Sequence, residues 1–217
     1  MRKKLSDAKE RMNTILNKLQ KEYPNAHCAL NFSNGFELLI ATILSAQCTD
    51  ARVNIVTQDL FKKYHNPADY MNISEEELQE DIRSTGFYKN KAKNIRECCK
   101  GIIERFGGEL PDTMEQLTTL AGVGRKTANV VLGNWFGKNV GITVDTHVTR
   151  LMNLLGFVTT TNAEKIEREL MPLVPQVQWA DFTHFIISHG RTVCIARRPQ
   201  CQRCVISELC PSSKQNI

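Results

Sequence analysis

Residues 120–131, Leu-Ala-Gly-Val-Gly-Arg-Lys-Thr-Ala-Asn-Val-Val, decide how the rest of the chain is read. Gly122 and Gly124 bracket a tight turn that runs straight into Arg125, Lys126 and a stretch of helix-forming residues. Glycine allows backbone angles and close approaches that other residues resist. A turn ending in the first turn of a helix aims N–H groups at one spot, where the helix dipole adds partial positive charge. That combination binds phosphate. The plainer reading is a sharp connection between two helices with a solvated lysine. Lys126 falls in the first turn of the new helix, where the dipole and Arg125 both disfavour its ammonium form, and an amine so placed is a candidate nucleophile.

A carboxylate partner follows in Ile142-Thr143-Val144-Asp145-Thr146-His147. Asp145 sits near the start of another helix, where the ionised form is favoured. Taken by itself it reads as a helix cap. Close to Lys126 it would stabilise the ammonium and so oppose the dipole.

Around these two motifs the chain reads as helical throughout, with no alternating strand pattern and no hairpin signal. Residues 6–22 form a charged amphipathic helix. Residues 34–48 are apolar nearly all round, which predicts a helix buried among others. Thr49-Asp50 caps the next helix, which reaches about Tyr64. Ser74-x-x-Glu77, Thr113-x-x-Gln116 and Thr161-x-x-Glu164 are capping boxes that start further helices. From about Tyr88 to Phe106 an apolar stripe of Ala92, Ile95, Cys99, Ile102 and Phe106 runs beside a basic side of Lys89, Lys93, Arg96 and Lys100. More helices are expected near 143–155, 162–174 and 176–190.

Composition sets the class. The chain has 217 residues, 41% hydrophobic and 24% charged, as a water-soluble globular protein of one large or two small domains would. The start, Met-Arg-Lys-Lys-Leu-Ser-Asp, leads into polar sequence rather than the apolar core of a signal peptide. No apolar run approaches the roughly 20 residues of a membrane span, so a cytoplasmic protein is expected. Net charge is only +5, but its distribution is informative. Five basic residues stand against one acid between Lys89 and Lys100, and five more against Glu208 between Arg191 and Lys214. Either cluster alone reads as a solvated face. Two in one chain point to a polyanion such as nucleic acid.

The tail carries Cys194, Cys201, Cys204 and Cys210 as C-x6-C-x2-C-x5-C. Four thiols so close, in a chain without export signals, argue for a metal centre rather than disulfides. Tetrahedral zinc and an iron–sulfur cluster both accept four thiolates. The single Cys-x2-Cys pair leans the choice towards [4Fe–4S] without closing it. Arg197 and Arg198 lie between the first two cysteines, on a loop that a metal would tether and offer to phosphate. Cys28, Cys48, Cys98 and Cys99 read as thiols packed in helices rather than ligands.

Taken together, these motifs make the chain resemble the endonuclease III family of DNA glycosylases. The resemblance runs through Leu44-Ser45-Ala46-Gln47, Gly86-Phe87-Tyr88, Gly122 to Ala128, Val144 to His147 and the cysteine tail. It implies an all-α, two-lobed helix-hairpin-helix fold. A six-helix barrel would cover 28–138 and include the helix-hairpin-helix at about 113–136. A second lobe would join 1–27 to 139–217 and carry a [4Fe–4S] cluster at 194–210, with the substrate cleft between the lobes. It further implies a monomeric base excision repair enzyme acting on double-stranded DNA with damaged bases or abasic sites, cytoplasmic and nucleoid-associated through DNA.

By motif, Lys126 resembles the nucleophilic lysine and Asp145 the catalytic aspartate, while Cys194, Cys201, Cys204 and Cys210 resemble the cluster ligands. Gly122, Val123, Gly124, Arg125 and Thr127 would grip the DNA backbone, joined by Arg197 and Arg198. Gln47 would fill the gap left by a flipped base. Phe87 stands where better-known members carry a leucine wedge, and Ala121 replaces a common proline. The implied activity is removal of oxidised pyrimidines and cleavage 3′ to the abasic site by β-elimination. The relatives that lack a lyase step, mismatch and adenine glycosylases, lack a lysine at the position of Lys126. Adenine glycosylases also carry an additional C-terminal domain, whereas this sequence stops seven residues after Cys210. A non-catalytic helix-hairpin-helix protein would bind DNA without cutting it.

Overall fold

A computed structural model describes residues 2–213, with side chains from residue 5 onward. Among the described residues there are only α-helices, short 3-10 turns and loops, with no strand. None of the helices is long and apolar enough to cross a membrane. The chain divides into two compact units, residues 28–138 and residues up to His27 together with those from Asn139 on.

The unit of residues 28–138 holds α2 (Gly35–Leu44), α3 (Asp50–Lys63), α4 (Pro67–Asn72), α5 (Glu75–Asp81), α6 (Tyr88–Phe106), α7 (Met114–Leu117) and α8 (Arg125–Asn134). Asn34 caps α2 by accepting from the Glu37 N–H at 2.9 Å, and Glu37 reaches back to the Ser33 N–H at 2.6 Å. From Leu38 to Leu44 the helix is almost wholly enclosed, as its unbroken apolar sequence requires. It packs against α3, α6 and α8. The helix stops at Leu44 rather than running to residue 48, because residues 45–48 turn away on short-range hydrogen bonds such as Cys48 N–H to Ser45 C=O.

The caps at Thr49, Ser74 and Thr113 form as expected. The cap expected at Thr161 is instead Asn162, whose Oδ1 accepts from the Lys165 N–H at 2.9 Å. On α6 the stripe Ala92, Ile95, Cys99 and Ile102 is buried. Its basic side is smaller than the sequence suggests. Arg96 is half-buried and donates to the carbonyls of Tyr70 and Ile73, where it closes the end of α4. Lys91 is also turned inwards. Lys89, Lys93 and Lys100 remain exposed.

The other unit is built on α1 (Arg2–Glu22), α9 (Thr146–Leu154), α10 (Ala163–Leu170) and α11 (Trp179–Thr192). Met12, Ile15, Leu16 and Leu19 from α1 share a core with Val148, Leu151, Phe182 and Ile186. Arg11 fastens this helix to the tail by donating to the carbonyls of Leu155 and Leu209, both at 2.9 Å, with its guanidinium over the Phe157 ring.

Leu39→Ala, at a fully enclosed position of α2, is expected to lower the unfolding free energy by about 2–5 kcal/mol. Asn34→Ala should cost about 1 kcal/mol through the lost cap. Urea unfolding followed by far-ultraviolet circular dichroism measures both.

Candidate active site and metal centre

The glycine turn is held from beneath. Leu120 and Val123 are buried in the core of the 28–138 unit, so the backbone between and after them is pushed outwards. Gly122 has φ 73°, a left-handed conformation, and a Cβ there would stand 3.0 Å from that of Asn94. Gly124 caps α8 with an extended backbone and no side-chain hydrogen bond, which leaves the positive end of the helix without an acceptor from a cap. Val123 was expected at DNA, yet its side chain is committed to the core, so only its backbone is presented. Arg125 and Lys126 are exposed at the start of α8, and Thr127 is half-buried. The buried face of α8, Ala128, Val131 and Leu132, lies against α2. Lys126 therefore projects from a firmly docked helix.

Asp145 lies in the other unit as the N-cap of α9. One carboxylate oxygen accepts from the Val148 N–H at 2.8 Å, and the other meets Nδ1 of His147 at 2.9 Å. The segment before it is pinned by buried Ile142 and Val144 and by the Thr183 hydroxyl, which donates to the Thr143 carbonyl. Gly190 backs this arrangement: a Cβ there would meet the His147 ring at 2.8 Å. His147 stood in the Val144 to His147 motif without a role of its own, and Thr183 and Gly190 were not singled out from sequence, since only the fold shows that they back this segment. Asp145 keeps 17% of its side chain in solvent, so the carboxylate is fixed in direction yet reachable.

In the same unit the four tail cysteines line one cavity of about 200 Å³. Burial pushes the Cys204 and Cys210 thiols up, and neighbouring cysteines of the tail push them further. Four thiols lining one cavity are a donor set that a metal centre can use once they are deprotonated. Four thiolates so gathered can hold either a tetrahedral zinc or an iron–sulfur cluster.

Side-chain nitrogens face two of the sulfurs. Arg150 Nη1 stands 3.6 Å from Cys194 Sγ, and His189 Nε2 stands 3.4 Å from Cys204 Sγ. Burial, with Arg150 nearby, pushes His189 down to about 4, and its Nδ1 stands 3.0 Å from the Tyr23 hydroxyl oxygen. Arg197 and Arg198 are exposed on the loop between the first two cysteines, closed by the Gln200 N–H to the Val193 carbonyl. Cys98 and Cys99 are fully buried and Cys28 and Cys48 half-buried, all four outside this cavity. Of the tail's basic residues, Lys214 lies outside the described residues.

Known proteins carry the same features. Residues 40–176 match the HhH-GPD superfamily of base excision DNA repair proteins, and residues 194–210 match the iron-sulfur binding domain of endonuclease III. Endonuclease III of Synechocystis is 50% identical over 98% of this chain and 97% of its own length. The chain belongs to the endonuclease III family.

Endonuclease III of Bacillus subtilis is 48% identical over 90% of this chain and 89% of its own. A trapped endonuclease III–DNA covalent intermediate has a TM-score of 0.90 at 45% identity, covering 96% of this chain and 98% of that one. A thermostable thymine-DNA glycosylase, 22% identical, shares the fold with a TM-score of 0.86 over 95% of this chain and 98% of that one. The endonuclease III family carries a [4Fe–4S] cluster, and that decides between iron–sulfur and zinc.

Cys204→Ser is expected to yield protein with sharply reduced iron and without the brown colour of a thiolate-ligated cluster. Full iron content in that variant would remove Cys204 from the ligand set.

Proposed function

We propose that this chain removes oxidised pyrimidines from duplex DNA with Lys126 as nucleophile and Asp145 as the stabilising carboxylate. Its class, a bifunctional base excision repair glycosylase and abasic-site lyase, comes with the family. The observation that carries the residue assignment is the exposed Lys126 on the glycine-capped end of α8.

The damaged nucleotide has to leave the stack before its C1′ can be reached. The amides of the turn at Gly122–Gly124 bind backbone phosphate, and Arg125 and Thr127 add to that grip. As the C1′–N bond breaks, the base departs with the bonding electrons and positive charge develops on the sugar. The Asp145 carboxylate, held by the Val148 N–H and His147, stabilises that charge. The Lys126 amine then forms a bond to C1′. Loss of a proton from nitrogen and opening of the sugar ring give an iminium, which acidifies the C2′ proton. Removal of that proton expels the 3′ phosphate, and water later frees the lysine. The covalent complex formed by the 45% identical relative supports a covalent step of this kind.

Cys194, Cys201, Cys204 and Cys210 would hold the cluster, which when bound cross-links the tail and keeps the Arg197–Arg198 loop in place for phosphate contact. Gln47 would occupy the space vacated by the flipped base, and Phe87 would wedge the neighbouring stack. The enzyme works as a monomer on nucleoid DNA. The carboxylate and the amine serve successive steps, so their losses differ in kind.

Borohydride added during reaction with a thymine glycol duplex is expected to trap a protein–DNA adduct. Lys126→Ala should abolish it, and Asp145→Asn should slow base release roughly 10²-fold or more. An adduct that persists in Lys126→Ala would move the nucleophile elsewhere.

A further inference from the structure

Among the described residues only two non-glycine residues have positive φ, Gln47 at 53° and Phe87 at 50°. Each such residue carries strain that the surrounding structure has to over-determine, and such residues gather at functional sites. Both side chains are exposed, Phe87 to 64%, an unusual setting for a large aromatic ring. They sit in two different loops of the 28–138 unit, one after α2 and one before α6.

A single buried side chain ties those loops together. Lys91, 4% exposed, donates from Nζ to the carbonyl of Leu44 at 2.8 Å and to the carbonyl of Thr85 at 2.8 Å. Leu44 is the last residue of α2, three positions before Gln47. Thr85 ends the 3-10 turn Arg83–Thr85, two positions before Phe87. The Lys91 N–H also donates to the Phe87 carbonyl at 3.1 Å, so the residue grips the Phe87 loop twice. Core packing alone does not account for a lysine here. A methionine would fill similar space without desolvating a charge, and burial already weakens the hold of this ammonium on its proton. What the ammonium supplies is a link between two backbone carbonyls 41 residues apart in the chain.

We propose that Lys91 is the positioning residue that sets the spacing between Gln47 and Phe87, so that one enters the base gap as the other wedges the stack. This rests on the DNA-probing roles given to Gln47 and Phe87 above. Lys91 touches no DNA in this scheme. It acts through the two loops, so its loss affects duplex opening and leaves the chemistry at Lys126 untouched.

The test compares wild-type protein, Lys91→Met and Lys91→Gln on two probes, a thymine glycol duplex and a single-stranded oligonucleotide carrying an abasic site. The second probe needs no base displaced from a stack. Single-turnover excision from the duplex is expected to fall about 10- to 100-fold, the scale of a misplacement near 1 Å. Cleavage of the single strand should be unchanged. In a Phe87→Ala background the cost of Lys91→Met should shrink, because the two residues act as one unit.

Equal losses on both probes, additive effects with Phe87→Ala, or full duplex activity in Lys91→Met would each overturn the proposal. Wild-type protein inactive on both probes would instead overturn the functional reading beneath it. Should both variants fail to fold, amide exchange on the wild-type protein decides. Residues 44–48 and 85–88 should slow together on binding a duplex with a non-cleavable abasic analogue, and slowing of one loop alone would refute the link.

Discussion

Helix α2 is apolar on every side, and a helix with no polar face has to be enclosed. The unit of residues 28–138 follows from that constraint. Three helices, α3, α6 and α8, pack on α2. The docked face of α8 leaves its glycine-capped start and Lys126 outside. The end of α2 releases the chain into the turn that carries Gln47. The start of α6 carries Phe87 and, one turn on, the lysine that joins the two loops. Rigid burial at the centre thus fixes several exposed parts at once, which is what a site that must match a duplex requires.

The second unit solves a different problem. Its tail has short 3-10 turns and few apolar residues, too little to hold a defined loop unaided. Arg11, Arg150 and His189 reach it from α1, α9 and α11, and the cysteines gather around one cavity. Thiols so placed repel one another once ionised, and a cationic cluster turns that repulsion into cross-linking. Asp145 is set by ordinary helix-capping forces instead. The cap bonds that start α9 also fix the direction of the carboxylate.

Much of this was legible in residue order. Capping boxes at Ser74 and Thr113, the apolar stripe of α6 and the enclosed α2 follow from periodicity and local hydrogen bonding. Other readings shifted where neighbours competed. Asn162 displaced Thr161 as a cap because both side chains offer an acceptor and the better-placed one won. The basic cluster from Lys89 to Lys100 counts charges correctly, yet Lys91 and Arg96 spend theirs on backbone carbonyls inside the unit. A charge count carries no information about direction.

By itself, the sequence determined the helical class, the tight turn at Gly122–Gly124, the candidate pair Lys126 and Asp145, and the close grouping of four cysteines in the tail. All of these depend on contacts between residues close in the chain or on motifs of fixed spacing. Only the tertiary structure decided that Val123 faces the core, that Thr183 and Gly190 back the segment carrying Asp145, that the tail cysteines line one cavity, and that the loops of Gln47 and Phe87 share a buried lysine. Those depend on groups far apart in sequence, whose meeting is set by how the helices pack.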